Sequence, residues 1–378
     1  MTFRAAPRWR RVAWATALGS LLVLSGCAQF DDSASTPFSP EPSFGNGAEV
    51  QPGQPSQPTT TTTAPKAPTG PCIDPDPNVI ATCLDTTGGL VTLPDGISAL
   101  VAERRTGRVL RVAQGQPPTE VVRLGVDASS DGGLLDIALS PTFAEDGLLY
   151  AYITTAGDNR VVRIAQGDVP KDVLIGIPKG PNGNRGAIDF LDPTQLLVLT
   201  GNAGNPGGAT DPASLAGKLL RVNNPVPGAT PPPQTALTGI GIAGDVCTEP
   251  NGSIWVTDRT ATEDRLQKLG ADGTVLSPAW TWPDRPGVGG CAAGAGAVAV
   301  ALDTAKAVAI VPVDSNTGAV TAAPSLIAQD RYGRMNGAGV GVDGVLWAST
   351  VNKGAGQPGP NDDRVVRIPI PQGGGGVD

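Results

Sequence analysis

A short apolar segment recurs along the chain at intervals of 44 to 58 residues, and this regularity limits the fold more than any other feature. The mean interval is about 49 residues. A period of 40 to 50 residues containing several short strands is typical of a β-propeller, in which each repeat forms one blade. The six copies of the segment begin at Leu100, Leu149, Leu196, Ile254, Val298 and Leu346.

Two further signals recur in register with this segment. A turn dipeptide, Asp-Gly or Asn-Gly, precedes four copies and supplies the positive φ that a hairpin needs. A strand with alternating charge follows four copies, beginning at Arg108, Arg160, Lys218 and Arg364. We therefore predict an all-β fold, a six-bladed β-propeller of four-stranded blades over residues 71–370. The alternative, a β-sandwich with accidental spacing, does not explain three coincident features.

The first 26 residues are interpreted as a lipoprotein signal peptide. A basic region that ends at Arg11 precedes an apolar stretch of 13 residues, which is too short for an ordinary membrane span. The sequence Leu24-Ser25-Gly26-Cys27 then matches a lipobox, which predicts acylation of Cys27. The alternative is an ordinary signal peptide in which this cysteine is incidental.

Residues 27–70 are rich in Pro, Ser, Thr, Gln and Gly, and residues 371–378 are rich in Gly. The first segment buries too little apolar surface to offset its ordering entropy, so we predict a disordered tether. The expected location is the extracytoplasmic face of the cell membrane, with the membrane as one partner through the lipid anchor.

Four cysteines remain when Cys27 is set apart, and an even number in an exported protein favours disulfides. Cys72 and Cys83 lie close in sequence and are predicted to pair. Cys247 and Cys291 each lie seven residues before a recurring segment, which places both at one position of neighbouring innermost strands. We predict a second disulfide there, against the alternative of two buried free thiols.

The chain has no histidine, which excludes Ser-His-Asp triads, histidine bases and histidine-dominated metal sites. The formal net charge of −8 disfavours a nucleic-acid partner, because an acidic surface repels phosphate. No compact calcium motif is present, although Asp131, Asn184 and Asn202 carry suitable oxygens. The sequence alone assigns no catalytic residue and no metal ligand.

Propellers place ligands at one mouth of the central channel, on the loops that enter the inner strands and those joining strands two and three of each blade. Two of the latter loops are extended, between Leu196 and Lys218 and between Leu346 and Arg364. A small molecule or an envelope protein is the expected ligand. The candidate ligand-binding residues are Asp131, Asn184, Arg185, Asn202, Asp258, Arg259, Trp282, Arg285, Arg334 and Asn336.

Three segments carry a resemblance to a known family. They are GGLLDIALSPTF from residue 132, TGNAGN from residue 200 and SLAGKLLR from residue 214. With them, residues from about 90 to 370 resemble the soluble quinoprotein glucose/sorbosone dehydrogenases. The resemblance implies a six-bladed propeller, a pyrroloquinoline quinone (PQQ) cofactor, Ca²⁺ and oxidation of aldoses, with a histidine that takes the substrate proton.

The departures from the family pattern fall on this chemistry. The family's His-Asn-Gly-Gly run is Gly183-Asn184-Arg185-Gly186 here, so glycine occupies the position of the base. The family's Gly-Asp is Gly201-Asn202, and its Gly-His-Arg-Asn entry appears as Gly-Ile-Gly from residue 239. We therefore expect a binding protein without dehydrogenase activity. The alternatives are a PQQ-dependent sugar dehydrogenase with Asp189 or Asp258 as base, and a Ca²⁺-dependent hydrolase or lactonase.

Overall fold

The computed structural model describes residues 70–270, 273–294, 296–356 and 358–370. The predicted signal peptide, nearly all of the predicted tether and the Gly-rich tail lie outside the described residues. Within that described part, no helix is both long and apolar enough to cross a membrane.

The described residues form six four-stranded antiparallel sheets, as the repeat predicted. Blade 1 comprises β2 (Thr87–Thr92), β3 (Ser98–Glu103), β4 (Arg108–Ala113) and β5 (Thr119–Arg123); blade 2 comprises β6 (Leu134–Leu139), β7 (Leu149–Thr154), β8 (Asn159–Ile164) and β9 (Lys171–Ile177); blade 3 comprises β10 (Gly186–Asp192), β11 (Gln195–Thr200), β12 (Lys218–Asn223) and β13 (Gln234–Thr238).

The remaining three blades complete the ring. Blade 4 comprises β14 (Val246–Thr248), β15 (Ile254–Arg259), β16 (Asp264–Leu269) and β17 (Val275–Trp282); blade 5 comprises β18 (Val288–Gly294), β19 (Ala297–Leu302), β20 (Ala307–Pro312) and β21 (Ser325–Ile327); blade 6 comprises β22 (Met335–Val340), β23 (Leu346–Thr350), β24 (Val365–Ile368) and β1 (Val79–Ala81). The first strand of each of blades 1 to 5, and β22 of blade 6, contacts its counterparts in both neighbouring blades and lines the channel.

The recurring apolar segment forms the second strand of each blade. In β11, Leu196, Leu197, Val198 and Leu199 are all completely buried. A strand in this position packs against other blades on both of its faces, so it needs apolar side chains without alternation. The apolar clusters of the protein accordingly lie between neighbouring sheets rather than in one central core.

The ring is closed by β1, which comes from the N-terminal end of the described chain. It pairs antiparallel with β24, and the backbone N–H of Arg367 donates to the carbonyl of Asn78 at 2.8 Å. Blade 6 therefore contains strands from both ends of the propeller.

Each of the two extended loops contains one short helix, on the face of the propeller where the chain enters the inner strands. Helix α2 (Pro206–Thr210) lies between β11 and β12, and a 3₁₀ helix (Asn352–Gly354) lies between β23 and β24. A further helix, α1 (Phe143–Asp146), connects β6 and β7 at the opposite face.

Both predicted disulfides are formed. Cys72 and Cys83 have their Cα atoms 5.4 Å apart. Cys247 in β14 and Cys291 in β18 have theirs 5.8 Å apart, which joins the inner strands of blades 4 and 5. The disulfide predicted from equivalent positions in neighbouring repeats is confirmed.

Candidate functional site

A cavity of about 160 Å³ opens at the end of the channel where the loops enter the inner strands. Its walls come from all six blades. Glycine backbone forms much of the surface. The polar and charged side chains that line it belong to Thr86, Thr87, Arg104, Asp131, Asp136, Arg185, Asp245, Asp303, Arg334 and Asn336.

Four of the ten residues predicted from the sequence line this cavity. Asp131 is fixed by the next blade, because it accepts hydrogen bonds from the Gly183 N–H and the Asn184 side-chain amide, both at 2.7 Å. Arg334 binds both oxygens of Asp303, at 2.5 and 3.0 Å. The remaining two are Arg185 and Asn336.

Arg185 and Asn336 meet across the channel. Arg185 directly precedes β10 of blade 3, and Asn336 lies in β22 of blade 6, on the opposite side of the ring. The Arg185 guanidinium donates a hydrogen bond to the Asn336 side-chain oxygen. The Asn336 amide in turn donates to the Gly88 carbonyl at 3.2 Å. One arginine thus spans the width of the channel.

Three other predicted residues stabilise the loops around the mouth. Asn184 is completely buried, and its amide oxygen accepts from the Gly180 N–H at 2.9 Å. The Asn202 side chain accepts from the Gly204 N–H at 3.0 Å within its own turn. Asp258 is buried against Arg265, with which it forms an ion pair.

The last three predicted residues lie outside the cavity lining. Arg259 donates to the carbonyls of Val288 and Gly287, at 2.5 and 3.0 Å. Trp282 is 8% exposed and packs in the core between blades 4 and 5, so it forms no aromatic wall for a ligand. Arg285 is exposed in a turn, with a φ of 54°.

Four charged residues of the cavity were missed in the sequence: Arg104, Asp136, Asp245 and Asp303. Asp136 carried a usable signal, because an acidic residue interrupts the apolar strand Leu-Leu-Asp-Ile-Ala-Leu. The other three follow strands or sit in connections, where a charged residue is ordinary. Their sequence positions gave no reason to single them out.

Three aspartates inside the channel each bind the next blade around the ring. Asp136 of blade 2 accepts from the Ile188 N–H at 2.7 Å. Asp189 of blade 3 accepts from the Thr248 hydroxyl at 2.8 Å, and Asp245 beside blade 4 accepts from the Cys291 N–H at 2.8 Å. These bonds fix the spacing of the inner strands of blades 2 to 5.

Burial is the main reason that the pKa of each of these carboxyls is raised. For Asp136 the nearby Asp245 charge raises the pKa further, and the pKa of Asp189 rises to about 6. Asp136 and Asp245 are shared with a second cavity of about 310 Å³ further along the channel, which Asp189 also lines. Asp189 therefore faces away from the cavity that contains Arg185, and neither it nor Asp258 lines that cavity.

Asp189→Asn should remove one component of the pH dependence of stability. The folded pKa, about 6, lies above the ordinary value of 3.8, so the wild type loses stability as the pH rises from about 4 through about 6. Asparagine keeps the geometry, because its oxygen can accept from the Phe190 N–H and its amide can donate to a rotated Thr248 hydroxyl. We expect the variant to be more stable than wild type by roughly 1–3 kcal/mol at pH 8, and by little near pH 4.

Urea unfolding between pH 4 and pH 8 measures this difference. Asp192→Asn is the control, because hydrogen bonds from Thr194 lower the pKa of Asp192, so its loss should have the opposite sign. Parallel pH profiles for wild type and Asp189→Asn would contradict the assignment.

Gly183 has no room for a side chain. Its φ is 70°, in the region that favours glycine. A Cβ atom added there would lie 2.6 Å from the Asn202 side-chain oxygen and 2.8 Å from the Gly204 nitrogen. The loop is therefore built around a glycine at this position.

The protein is thus a six-bladed propeller in which the loops that enter the inner strands form a polar cavity. Residues 84–240 match the family model described as Glucose / Sorbosone dehydrogenase. An aldose sugar dehydrogenase from Streptomyces coelicolor, solved in its PQQ-bound form, is 30% identical over 76% of this chain and 95% of its own, with a TM-score of 0.68. The chain belongs to the glucose/sorbosone dehydrogenase family.

Two other solved structures share the propeller fold. A putative oxidoreductase (glucose dehydrogenase) from Thermus thermophilus is 29% identical, with a TM-score of 0.67 over 76% of this chain and 98% of its own. The soluble aldose sugar dehydrogenase of Escherichia coli, at 19% identity, shares the fold, with a TM-score of 0.63 over 77% of this chain and 99% of its own. Comparison with curated protein sequences gives no match.

Proposed function

We propose that this protein is a lipid-anchored envelope propeller that binds a small ligand in the channel cavity and does not catalyse sugar oxidation. One observation supports the proposal: Gly183, which the family resemblance places at the position of the base, has no room for a side chain, while charged side chains still line the cavity. The cavity therefore retains groups that bind, but not the group that takes the proton.

Two of the four carboxyls that line the cavity are already engaged by other groups. The chain has no histidine. Asp303 is held by Arg334, and Asp131 already accepts bonds from Gly183 and Asn184. Loss of a general base typically lowers a rate by about 10²- to 10⁴-fold.

The residues present also do not fit PQQ as a working cofactor. When bound, the quinone accepts the hydride that leaves the substrate. Here Arg185 crosses the channel at a position where the family motif has glycine. Among the described residues, no group of three or more His, Cys, Asp or Glu side chains could hold a metal ion.

The test is dye-coupled oxidation of a panel of aldoses by the full chain, purified in detergent, with PQQ and Ca²⁺ added. We expect no rate above a protein-free control, and the Streptomyces coelicolor enzyme serves as the positive control. Gly183→His should not restore activity, because its Cβ would overlap the Asn202 and Gly204 atoms. Turnover in the wild type that Asp131→Asn, Asp189→Asn or Asp258→Asn abolishes would instead establish the dehydrogenase alternative.

The anchoring part of the proposal rests on Cys27 and the segments around it. A signal peptide, a Pro/Thr-rich tether and this propeller together resemble the mycobacterial lipoprotein LppZ. Cys27→Ala should remove the acyl mass and shift the protein out of the detergent phase, because no thiol remains to be acylated. Intact-mass spectrometry and detergent partitioning measure both effects. An unchanged mass increment and unchanged partitioning would refute the lipid anchor.

A further inference from the structure

Two arginines of the cavity, Arg104 and Arg185, make no ion pair with any of the described residues. Arg104 donates to the carbonyls of Ser130 and Gly132, at 3.1 and 2.7 Å, and Arg185 donates to the neutral Asn336 amide. By contrast, Arg334 and Arg259 share Asp303.

The two unpaired guanidiniums are close enough to affect each other. Burial lowers the pKa of Arg185, the nearby Asp303 and Asp131 charges raise it, and the Arg104 charge lowers it. Among the described residues no carboxylate bonds directly to either guanidinium, so both can donate to an incoming oxyanion. Arginine is also the side chain best suited to bind carboxylate or phosphate with two parallel hydrogen bonds.

The size of the cavity limits the ligand. Its volume is about 160 Å³, whereas pockets for drug-sized molecules span about 300–1,000 Å³. The bond from Arg185 to Asn336 across the channel is one cause of this small volume. The other polar groups at the walls, including Asp131 and Asn336, can bind the hydroxyl groups of a ligand that is about as large as one sugar ring.

We propose that Arg104 and Arg185 form an oxyanion receptor, and that the cavity takes a small hydroxylated acid while Arg185 excludes larger polycyclic anions. This rests on the proposed function, that the channel cavity binds a ligand. Arg185 is then a residue that determines specificity: its guanidinium binds the anion, and its length sets the volume. The anion can be a carboxylate, as in a sugar acid, or a phosphate, as in a sugar phosphate.

Titration calorimetry on the full chain in detergent, near neutral pH, tests the proposal. The probes are D-glucuronate, D-glucose 6-phosphate, neutral D-glucose and, as a bulky anion, PQQ. We expect at least one of the two acids to bind at least 10-fold more tightly than D-glucose and more tightly than PQQ. The stronger of the two acids identifies the source of the anion. Equal affinity for D-glucose, no binding of either acid, or tighter binding of PQQ would overturn the proposal.

Arg185→Gln should weaken binding of the preferred acid at least 10-fold. Arg285→Gln is the matched control, because Arg285 belongs to the corresponding loop of blade 5 but is exposed outside the cavity lining. Equal affinities for wild type and Arg185→Gln would overturn the assignment of Arg185.

A second variant keeps the test valid if Arg185→Gln is poorly folded. Asn336→Asp places a carboxylate where Arg185 already donates, so the arginine gains an internal partner. We expect acid binding to weaken at least 10-fold while the cross-channel contact persists; retained affinity would overturn the proposal. If the protein binds D-glucose but shows no preference for an acid, only this inference is overturned. If it oxidises aldoses with PQQ, the proposed function is overturned.

Discussion

Gly88→Ala should lower the free energy of unfolding by about 3 kcal/mol or more, or prevent folding. Gly88 lies in β2, the inner strand of blade 1. A Cβ atom added there would lie 2.5 Å from the Leu134 carbonyl oxygen and 2.7 Å from the Leu135 carbonyl oxygen. Both obstacles are backbone atoms of β6, so the clash can be relieved only by moving one blade away from the next.

Gly294→Ala is the matched control for this variant. Gly294 ends β18, another inner strand, and a Cβ atom added there meets nothing within 4 Å among the described residues. Thermal and urea unfolding of the two variants should differ clearly, with Gly294→Ala close to wild type. Similar stabilities for the two variants would contradict the close approach of β2 and β6.

Replacing both Cys247 and Cys291 with alanine should lower stability by about 2–4 kcal/mol. The bond closes a segment with a sequence separation of 44 residues, and chain-entropy arithmetic for such a loop gives about 4 kcal/mol as an upper value. It also joins the inner strands of blades 4 and 5, so its loss removes a covalent link between neighbouring blades.

The second disulfide provides the comparison. Cys72 and Cys83 are separated by only 11 residues, so removing that pair should cost about 1 kcal/mol less by the same arithmetic. Thermal unfolding of the two double-alanine variants measures the difference. An equal or smaller loss for the Cys247–Cys291 pair would show that loop length does not govern its contribution.

Much of the fold could be predicted because its determinants repeat locally along the chain. The second strand of every blade packs on both faces, so the same apolar segment recurs, as β11 and β15 illustrate. The equal spacing from Cys247 and Cys291 to the following strands was enough to pair them. The absence of histidine and the glycine at position 183 likewise needed no coordinates.

Other features of the fold gave no such signal. Strand β1 has only three residues and no copy elsewhere, yet it supplies the fourth strand of blade 6. Trp282 is one of the candidate ligand-binding residues from the sequence, but it packs between blades. Local sequence cannot distinguish these cases, because the packing partners come from distant parts of the chain.

The sequence by itself determined the blade number, both disulfides and the absence of histidine, since each depends on spacing or on residue type. Only the tertiary structure decided which charged residues share the cavity. Arg104 and Arg185 come from blades 1 and 3, and Asn336 comes from blade 6. Closure of the ring brings them together. The physical reason is that an ion pair or its absence depends on distances between blades, which no interval along the chain encodes.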